Sequence, residues 1–239
     1  MSASSRTGLG GLVAFAATPT AGGEGVDEPR LCALLDELVA AGVDAVTVLG
    51  STGALATFDE RERMRIAAAA IAHVDRRVPV MVGTGAMTTA EAVRLARHAE
   101  DAGADAVLVV PLAYWRLADH ELLEHYHRIA GAVRIPVGIY NNPRLTLTDL
   151  QPQLIARIAR RDNVRYLKES SADPERIARV RSLAPQLQVA AGRDSQALEA
   201  LRAHPVAWYS GIANIIPRQC VALFGHCRAG DFEAAAAAG

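Results

Sequence analysis

The stretch AGVDAV at residues 41–46 recurs as AGADAV at residues 102–107. In each copy an amphipathic segment reaches a glycine, which favours the end of a helix, and an apolar run follows at once. A second phrase, VPV at residues 78–80, is echoed by IPV at residues 135–137. This repetition predicts tandem helix–strand units within one α/β domain.

Eight such units can be counted along the chain. Short and almost continuously apolar runs are typical of parallel strands that are buried on both faces. They lie at residues 12–17, 45–49, 78–82, 106–110, 137–140, 164–168, 187–191 and 206–210. Amphipathic helices alternate with them. Gly42 is expected to end one helix, Asp59 and Thr88 to cap two others, and Asp173-Pro174-Glu175 to open a fourth.

Eight strands that are each followed by a helix predict a closed (β/α)8 or TIM barrel, an α/β fold. The competing arrangement is a doubly wound open sheet, which needs a phosphate-binding glycine motif after its first strand to hold a dinucleotide. Gly83-Thr84-Gly85 follows the third strand and lacks a third glycine. The pattern therefore favours the barrel.

The last part of the chain predicts where the barrel ends. Residues 217–227 are expected to form the eighth helix, and residues 231–239 to begin another, alanine-rich helix. We therefore expect a barrel catalytic domain at residues 1–228. Residues 229–239 are expected to be only the start of a C-terminal helical region.

Composition excludes several classes of function. The 239 residues carry 25 Lys and Arg against 26 Asp and Glu, so no basic field is available to bind nucleic acid. Three cysteines without CxxC spacing argue against a disulfide framework or a zinc site, and no other metal or cofactor motif appears. Neither a signal peptide nor a membrane-spanning run is present, so a cytoplasmic location is expected.

Lys168 closes the predicted sixth strand. If its side chain points into the barrel, removal from water lowers its pKa, and the neutral amine can attack a ketone to form an imine. The alternative is a surface lysine at a strand end, paired with Glu169. Spacing alone does not decide between the two.

Two other strand ends carry polar groups. Tyr140, at the end of the fifth strand, can move protons to and from a carbinolamine, or its ring can simply pack at the barrel rim. The loop Gly50-Ser51-Thr52-Gly53 can hold a carboxylate with its N–H groups and hydroxyls, or it can be an ordinary turn. In a barrel both would share the mouth at which Lys168 lies.

Two polar helical segments are expected to face solvent. They are His125-Tyr126-His127, whose alternating histidines diverge on a helix and so do not predict a metal site, and the charged run at residues 59–65.

Five short segments are carried in order at the predicted strand ends. They are LGSTG at 49–53, GTGA at 83–86, YNNP at 140–143, LKES at 167–170 and GIAN at 211–214. With them the chain, from residue 14 to residue 214, resembles the dihydrodipicolinate synthase / N-acetylneuraminate lyase family. Members of that family are class I aldolases that form a Schiff base with pyruvate and need no cofactor.

The resemblance implies a role for each matching residue. Lys168 matches the Schiff-base lysine, and Tyr140 matches the tyrosine that relays protons above the imine. Ser51 and Thr52, with Gly50 before them, match the loop that holds the pyruvate carboxylate, and the Ser51 hydroxyl also joins the relay.

Two further positions follow from the resemblance. Tyr114 resembles a relay tyrosine that a neighbouring subunit supplies, although the match needs one extra residue after Pro111. Tyr209 would offer a backbone carbonyl to the substrate. The family also implies a homo-oligomer, either a dimer or a tetramer built from dimers, and a helical C-terminal domain.

The chain departs from the family pattern at Ala54, where a glutamate is usual, and at Leu145, where the synthase carries an arginine that grips its aldehyde substrate. Arg144 precedes that place by one residue. A leucine cannot pair with a carboxylate. We therefore expect an aldolase or dehydratase acting on pyruvate or a related 2-oxo acid. The alternatives are 4-hydroxy-tetrahydrodipicolinate synthase itself and a non-catalytic protein that binds 2-oxo acids.

Overall fold

Eight parallel strands close into a barrel in the computed structural model, which describes residues 8–22, 24–171, 173, 175–203 and 207–238. The strands are β1 (Gly11–Phe15), β2 (Ala45–Val48), β3 (Val80–Gly83), β4 (Ala106–Val109), β5 (Val137–Asn141), β6 (Val164–Glu169), β7 (Gln188–Ala191) and β8 (Ala207–Ser210). Each pairs with its sequence neighbours, and β1 pairs with β8. This closure confirms the predicted barrel and excludes the open sheet.

Helices cover the outside of the barrel. They are α1 (Glu28–Ala41), α2 (Glu60–Val74), α3 (Thr89–Asp101), α4 (Asp119–Ala130), α5 (Pro152–Ile158), α6 (Arg176–Leu183), α7 (Ala197–Ala203), α8 (Pro217–Ala229) and α9 (Phe232–Ala238). A one-turn helix, Pro143–Thr146, follows β5, and a small antiparallel hairpin, Thr20–Ala21 with Glu24–Val26, follows β1. None of the described helices is both long and apolar enough to cross a membrane.

Most of the predicted helix ends are confirmed. Asp59 and Thr88 accept hydrogen bonds from backbone N–H groups three residues on, and Gly42 ends α1 in the left-handed conformation at φ 92°. The prediction that Asp173 caps the next helix was wrong: α6 begins at Arg176 with Glu175 at the cap position, and Asp173 accepts from the N–H of Glu175 in the turn before it. Pro174 and Val206, which belonged to a predicted cap and a predicted strand, lie outside the described residues.

Inward-facing side chains from several strands meet inside the barrel. The ring of Phe15 on β1 lies 5.6 Å from that of Tyr209 on β8, and Lys168 on β6 reaches across to the Phe15 ring. Tyr140 on β5 pairs in register with Lys168, so both side chains are directed inward at the same height. Register thus gathers the polar ends of the strands at one mouth.

The expectation that His125 and Tyr126 face solvent was wrong. Tyr126 is fully buried and donates to the carbonyl of Val109, while His125 is buried with its Nδ1 2.9 Å from Oγ1 of Thr89. Burial lowers the pKa of His125 to about 4. Helix α4 turns this face toward β4 and α3, which supply partners for the Tyr126 hydroxyl and for Nδ1 of His125. Nε2 of His125 is buried without a hydrogen-bond partner among the described residues.

The charged run at residues 59–65 is likewise not wholly exposed. Arg63 is 3% exposed, and its Nη2 donates to the carbonyls of Gly83 (3.2 Å) and Gly85 (2.8 Å). The aliphatic stem of an arginine packs well against apolar surface while its planar head bonds to fixed acceptors. Arg63 therefore holds the loop that follows β3.

Helix α9 packs on α8 at the end of the chain. Ala235 is completely buried there, and the guanidinium of Arg202 lies 5.9 Å from the ring of Phe232. Helix α8 extends through Ala229, one residue past the expected domain boundary. The division at residue 228 stays a prediction.

Candidate active site

Lys168 lies at the carboxyl end of β6 with only 4% of its surface exposed. Its Nζ is 3.4 Å from the centre of the Phe15 ring and 4.7 Å from that of Tyr140. The alternative of a surface lysine paired with Glu169 is therefore wrong. The two side chains alternate in direction along the strand, and Glu169 is turned to the outside of the barrel.

Burial is the main influence on this amine. It lowers the pKa of Lys168 below the ordinary value, because water no longer solvates the ammonium, while negative charge at Tyr140 and Asp194 acts in the opposite direction. The neutral amine, which is the nucleophilic form, is thus favoured relative to a lysine in water.

The Tyr140 hydroxyl is held from two sides. It lies 3.4 Å from Oγ of Ser51 and accepts a hydrogen bond from Nδ2 of Asn142 at 2.9 Å. Burial raises the pKa of Tyr140, but the charge of Lys168 and hydrogen bonds from Ser51, Asn142 and Ser170 outweigh burial, so this pKa lies below its ordinary value. A phenol that has a lowered pKa and lies next to an amine is suited to proton transfer.

The loop after β2 brings Ser51 to this hydroxyl. Its backbone is compact: Leu49 and Ala54 both adopt positive φ, at 56° and 52°. Gly50 packs so closely on Phe15 that an added Cβ would lie 2.6 Å from the ring, which requires glycine there. Ser51 is half-buried at the mouth, and Thr52 is exposed beside it.

Asp194, in the loop after β7, fastens another part of the mouth. One carboxylate oxygen accepts from the N–H groups of Gly211 (3.1 Å) and Ile212 (2.9 Å), and the other accepts from Nε1 of Trp208 (3.0 Å). Asp194 thereby ties the loops after β7 and β8 together. No role for Asp194 was predicted from the sequence.

Three residues near Lys168 were not assigned from sequence. Phe15 forms the floor below its Nζ, Asn142 orients the Tyr140 hydroxyl, and Ser170 is buried with its hydroxyl close to Gly192. Phe15 looks like any core residue in the sequence. Asn142 and Ser170 lie within the YNNP and LKES segments, so only their neighbourhood was marked.

Two predicted residues lie elsewhere. Tyr114 lies in the loop after β4, and 86% of its surface is exposed. Its ring makes an edge-on contact with the ring of Trp115, with the two ring centres 6.1 Å apart. Tyr209 is buried inside the barrel, and its hydroxyl donates to the carbonyl of Leu9 at 3.0 Å. Lys168, Tyr140 and Ser51 are therefore brought together within one chain, and Tyr114 is not.

Within the described residues, no group of three or more His, Cys, Asp or Glu side chains is arranged to bind a metal ion. The chemistry available at this mouth is that of an amine, a phenol and hydroxyls.

The model of the dihydrodipicolinate synthetase family matches residues 8–238. The chain belongs to this family. Among curated relatives, YagE of Escherichia coli K12, provisionally named a 2-dehydro-3-deoxy-D-gluconate aldolase, is 36% identical over 225 residues, which are 91% of this chain and 73% of YagE. The 4-hydroxy-tetrahydrodipicolinate synthase of Hyphomonas neptunium is 36% identical over 215 residues, or 89% of this chain and 73% of the relative.

Solved structures of the dihydrodipicolinate synthetase family have the same fold. YagE in complex with pyruvate superposes with a TM-score of 0.92 at 33% identity, covering 97% of this chain and 80% of YagE. A dihydrodipicolinate synthase from Agrobacterium tumefaciens gives 0.90 at 36% identity, with 96% and 79% coverage. The relatives are named as synthases and aldolases, which are lyases of the class I aldolase type.

Proposed function

We propose that this protein is a lyase that forms a Schiff base between Lys168 and pyruvate or a related 2-oxo acid. The observation that carries the proposal is the burial of the Lys168 amine over Phe15, in register with Tyr140. Membership of the dihydrodipicolinate synthetase family supports it.

The proposed reaction begins when the neutral amine attacks the ketone carbon. The carbon–nitrogen bond forms as the electrons of the carbonyl π bond move to oxygen. A proton then passes from the positively charged nitrogen to this alkoxide, through Tyr140, to give a carbinolamine. Tyr140 then protonates the departing hydroxyl group, which leaves as water, and a protonated imine remains.

The protonated imine accepts the electrons that are released when a bond to the adjacent carbon breaks. Loss of a proton from the adjacent carbon gives an enamine, whose carbon adds to an aldehyde in the condensing direction. In the cleaving direction a hydroxyl on the substrate loses its proton, the carbon–carbon bond breaks, and its electrons enter the imine to give the enamine. Ser51, 3.4 Å from the Tyr140 oxygen, is placed to pass these protons on.

The loop Gly50-Ser51-Thr52 is proposed to hold the carboxylate of the 2-oxo acid through its N–H groups and hydroxyls. Its distance from the amine then sets which carbon is attacked. Tyr209 is proposed to contribute through its backbone carbonyl. Its side chain is engaged with Leu9.

A sugar acid is favoured over the aldehyde used by the synthase. Leu145 and Arg144 lie in the one-turn helix after β5, and both are exposed. Neither side chain is held at the mouth as a carboxylate-binding group would be. We therefore propose cleavage of a 2-oxo-3-deoxy sugar acid to pyruvate and a hydroxyaldehyde. The provisional name of YagE supports this choice over synthase activity, and its pyruvate complex supports pyruvate as one of the two products.

Borohydride trapping tests the Schiff base directly. The protein is incubated with pyruvate and borohydride, digested, and analysed by mass spectrometry. A reduced pyruvyl adduct on Lys168 is expected, and none in Lys168→Met. An unmodified Lys168 in a folded protein would refute the proposal. If pyruvate raises the melting temperature but no aldol substrate is turned over, the protein is a binder rather than an enzyme.

We also propose that two copies pair through the loops after β3, β4 and β5, in the cytoplasm. These neighbouring loops expose large apolar side chains, namely Met87, Tyr114, Trp115, Leu145 and Leu147. Pairing would cover them and would bring one copy's Tyr114 toward the other's Tyr140. Sedimentation velocity is expected to show a dimer or larger species, which Tyr114→Asp with Trp115→Ser would dissociate. A monomeric wild-type protein that still turns over substrate would refute this part.

A further inference from the structure

The residues that follow Lys168 and Tyr140 in sequence form a second pair between the same two strands. Asn141 follows Tyr140 on β5, Glu169 follows Lys168 on β6, and the two are register partners. Because side chains alternate along a strand, this pair points out of the barrel. Both are nevertheless buried, at 0% and 4% exposure. A buried amide and a buried carboxylate need partners, and their partners define what they do.

The carboxylate of Glu169 is bound from three directions. Nδ2 of Asn141 lies 3.1 Å from each of its oxygens, the N–H of Ser171 donates to one oxygen at 2.6 Å, and Nε of Arg176 lies 3.3 Å from the other. These contacts come from β5, from the loop after β6 and from α6. Glu169 therefore joins three elements at the point where β6 ends.

Asn141 and Arg176 carry the connection further. Oδ1 of Asn141 accepts from the N–H of Leu150 at 3.0 Å, and Arg176 donates to the Leu150 carbonyl. Arg176 also pairs with Asp149, with Nη2 and Oδ1 2.7 Å apart. Arg176 and, beyond it, the partly exposed Asp149 face Glu169. Asp173, Arg193 and Glu199 line a cavity that Glu169 also lines. The backbone after β5 is fastened to the same cluster as the backbone after β6.

We propose that Glu169, with Asn141, is a positioning residue. This pair holds the last residues of β5 and β6 in register, and it thereby fixes where Lys168 lies relative to Tyr140. This inference rests on the proposed Schiff-base function. A reacting amine and its proton donor must be held to within a fraction of an ångström, and an error of about 1 Å costs about a hundredfold in rate. Glu169 and Asn141 are the immediate sequence neighbours of the two reacting groups, Lys168 and Tyr140.

Two neutral variants separate position from charge. Glu169→Gln keeps the shape and the oxygen that binds Asn141 and the Ser171 N–H, whereas Glu169→Ala removes every contact. The rate of borohydride trapping at saturating pyruvate is expected to stay within about threefold of wild type in the glutamine variant. It is expected to fall about a hundredfold in the alanine variant, with the pyruvate concentration for half-maximal rate changed much less. Glu37→Ala, an exposed acid on α1 outside the cavity that Glu169 lines, is the matched control and should trap at the wild-type rate.

The pH profile of trapping distinguishes the other roles. If Glu169 acted through its charge, both neutral variants would slow alike, and their pH midpoints would fall together; that outcome overturns the proposal. If it served only stability, the melting temperature would fall in Glu169→Ala while the rate per folded molecule stayed at the wild-type value, which also overturns it. Should Glu169→Ala fail to fold, a folded Glu169→Gln slowed more than about thirtyfold refutes positioning by shape. Absence of trapping in wild type instead refutes the Schiff base itself.

Discussion

Gly192→Ala tests the geometry of the site with a single methyl group. An added Cβ at this position would lie 2.8 Å from Cγ of Lys168, 2.2 Å from Oγ of Ser170 and 2.9 Å from the carbonyl oxygen of Glu169. Gly192 is also tied to that same carbonyl by its N–H at 2.8 Å. No flexible surface side chain can move aside to make room for the methyl group, because the group contacts β6 next to the reactive lysine.

The size of the effect follows from these distances. Carbon atoms prefer to be about 3.5–4.0 Å apart, so the stem of Lys168 must move by about 0.7 Å or more. A displacement approaching 1 Å costs about a hundredfold in rate. Overpacking costs about 1–3 kcal/mol of stability, partly offset by about 0.4–1 kcal/mol from the stiffer unfolded chain. The rate is thus expected to suffer far more than the fold.

The assay is the rate constant of borohydride trapping at saturating pyruvate, measured beside the urea midpoint of unfolding. Gly225→Ala on α8 is the matched control, since nothing lies within 4 Å of its added Cβ. It should keep the wild-type rate and gain about 0.5–1 kcal/mol in stability. A Gly192→Ala variant that traps pyruvate at the wild-type rate would show that the amine is not held where the structure has it.

Three further changes have defined outcomes. Tyr140→Phe should slow trapping about 10²–10⁴-fold, and it should move the pH midpoint downward, because Tyr140 raises the pKa of Lys168; an upward shift would contradict the electrostatics of the pair. His125 has a folded pKa of about 4, so the unfolded chain binds more protons below pH ~6.5, and about 3 kcal/mol of stability should be lost between there and pH ~4. His125→Gln should not show this acid-induced loss of stability. If the unfolding free energies of the variant and the wild type change identically with pH, His125 is not the cause of the loss. Arg63→Met, which removes two hydrogen bonds to the loop after β3, should lower the urea-derived stability by about 3 kcal/mol, and a change below about 1 kcal/mol would mean that the loop is held by other contacts.

Much of the fold could be read from sequence because its signals are local. A glycine stop at Gly42 and side-chain caps at Asp59 and Thr88 act within a few residues, and all three are found as predicted. The number of strands and their alternation with helices follow from hydrophobic periodicity. Right-handed crossover connections then leave few ways to close eight such units.

The helix faces show where local signals fail. His125 and Arg63 were expected to face solvent, yet both are buried with polar partners on other elements. A polar side chain reads as exposed unless its partner is known, and these partners lie 20 to 36 residues away. Their burial depends on how α2 and α4 rest on the barrel, which periodicity does not specify.

The sequence alone predicted that the sixth strand ends at Lys168, just before Glu169, and that the fifth ends at Tyr140, just before Asn141. The structure extends each strand by that one residue. The sequence did not determine which of each pair faces inward. Both faces of a parallel strand are buried, so the apolar pattern does not distinguish the barrel interior from the helix-facing side. Closure of the barrel and the β5–β6 register made that choice, turning Lys168 and Tyr140 toward Phe15 and turning Glu169 and Asn141 toward α6.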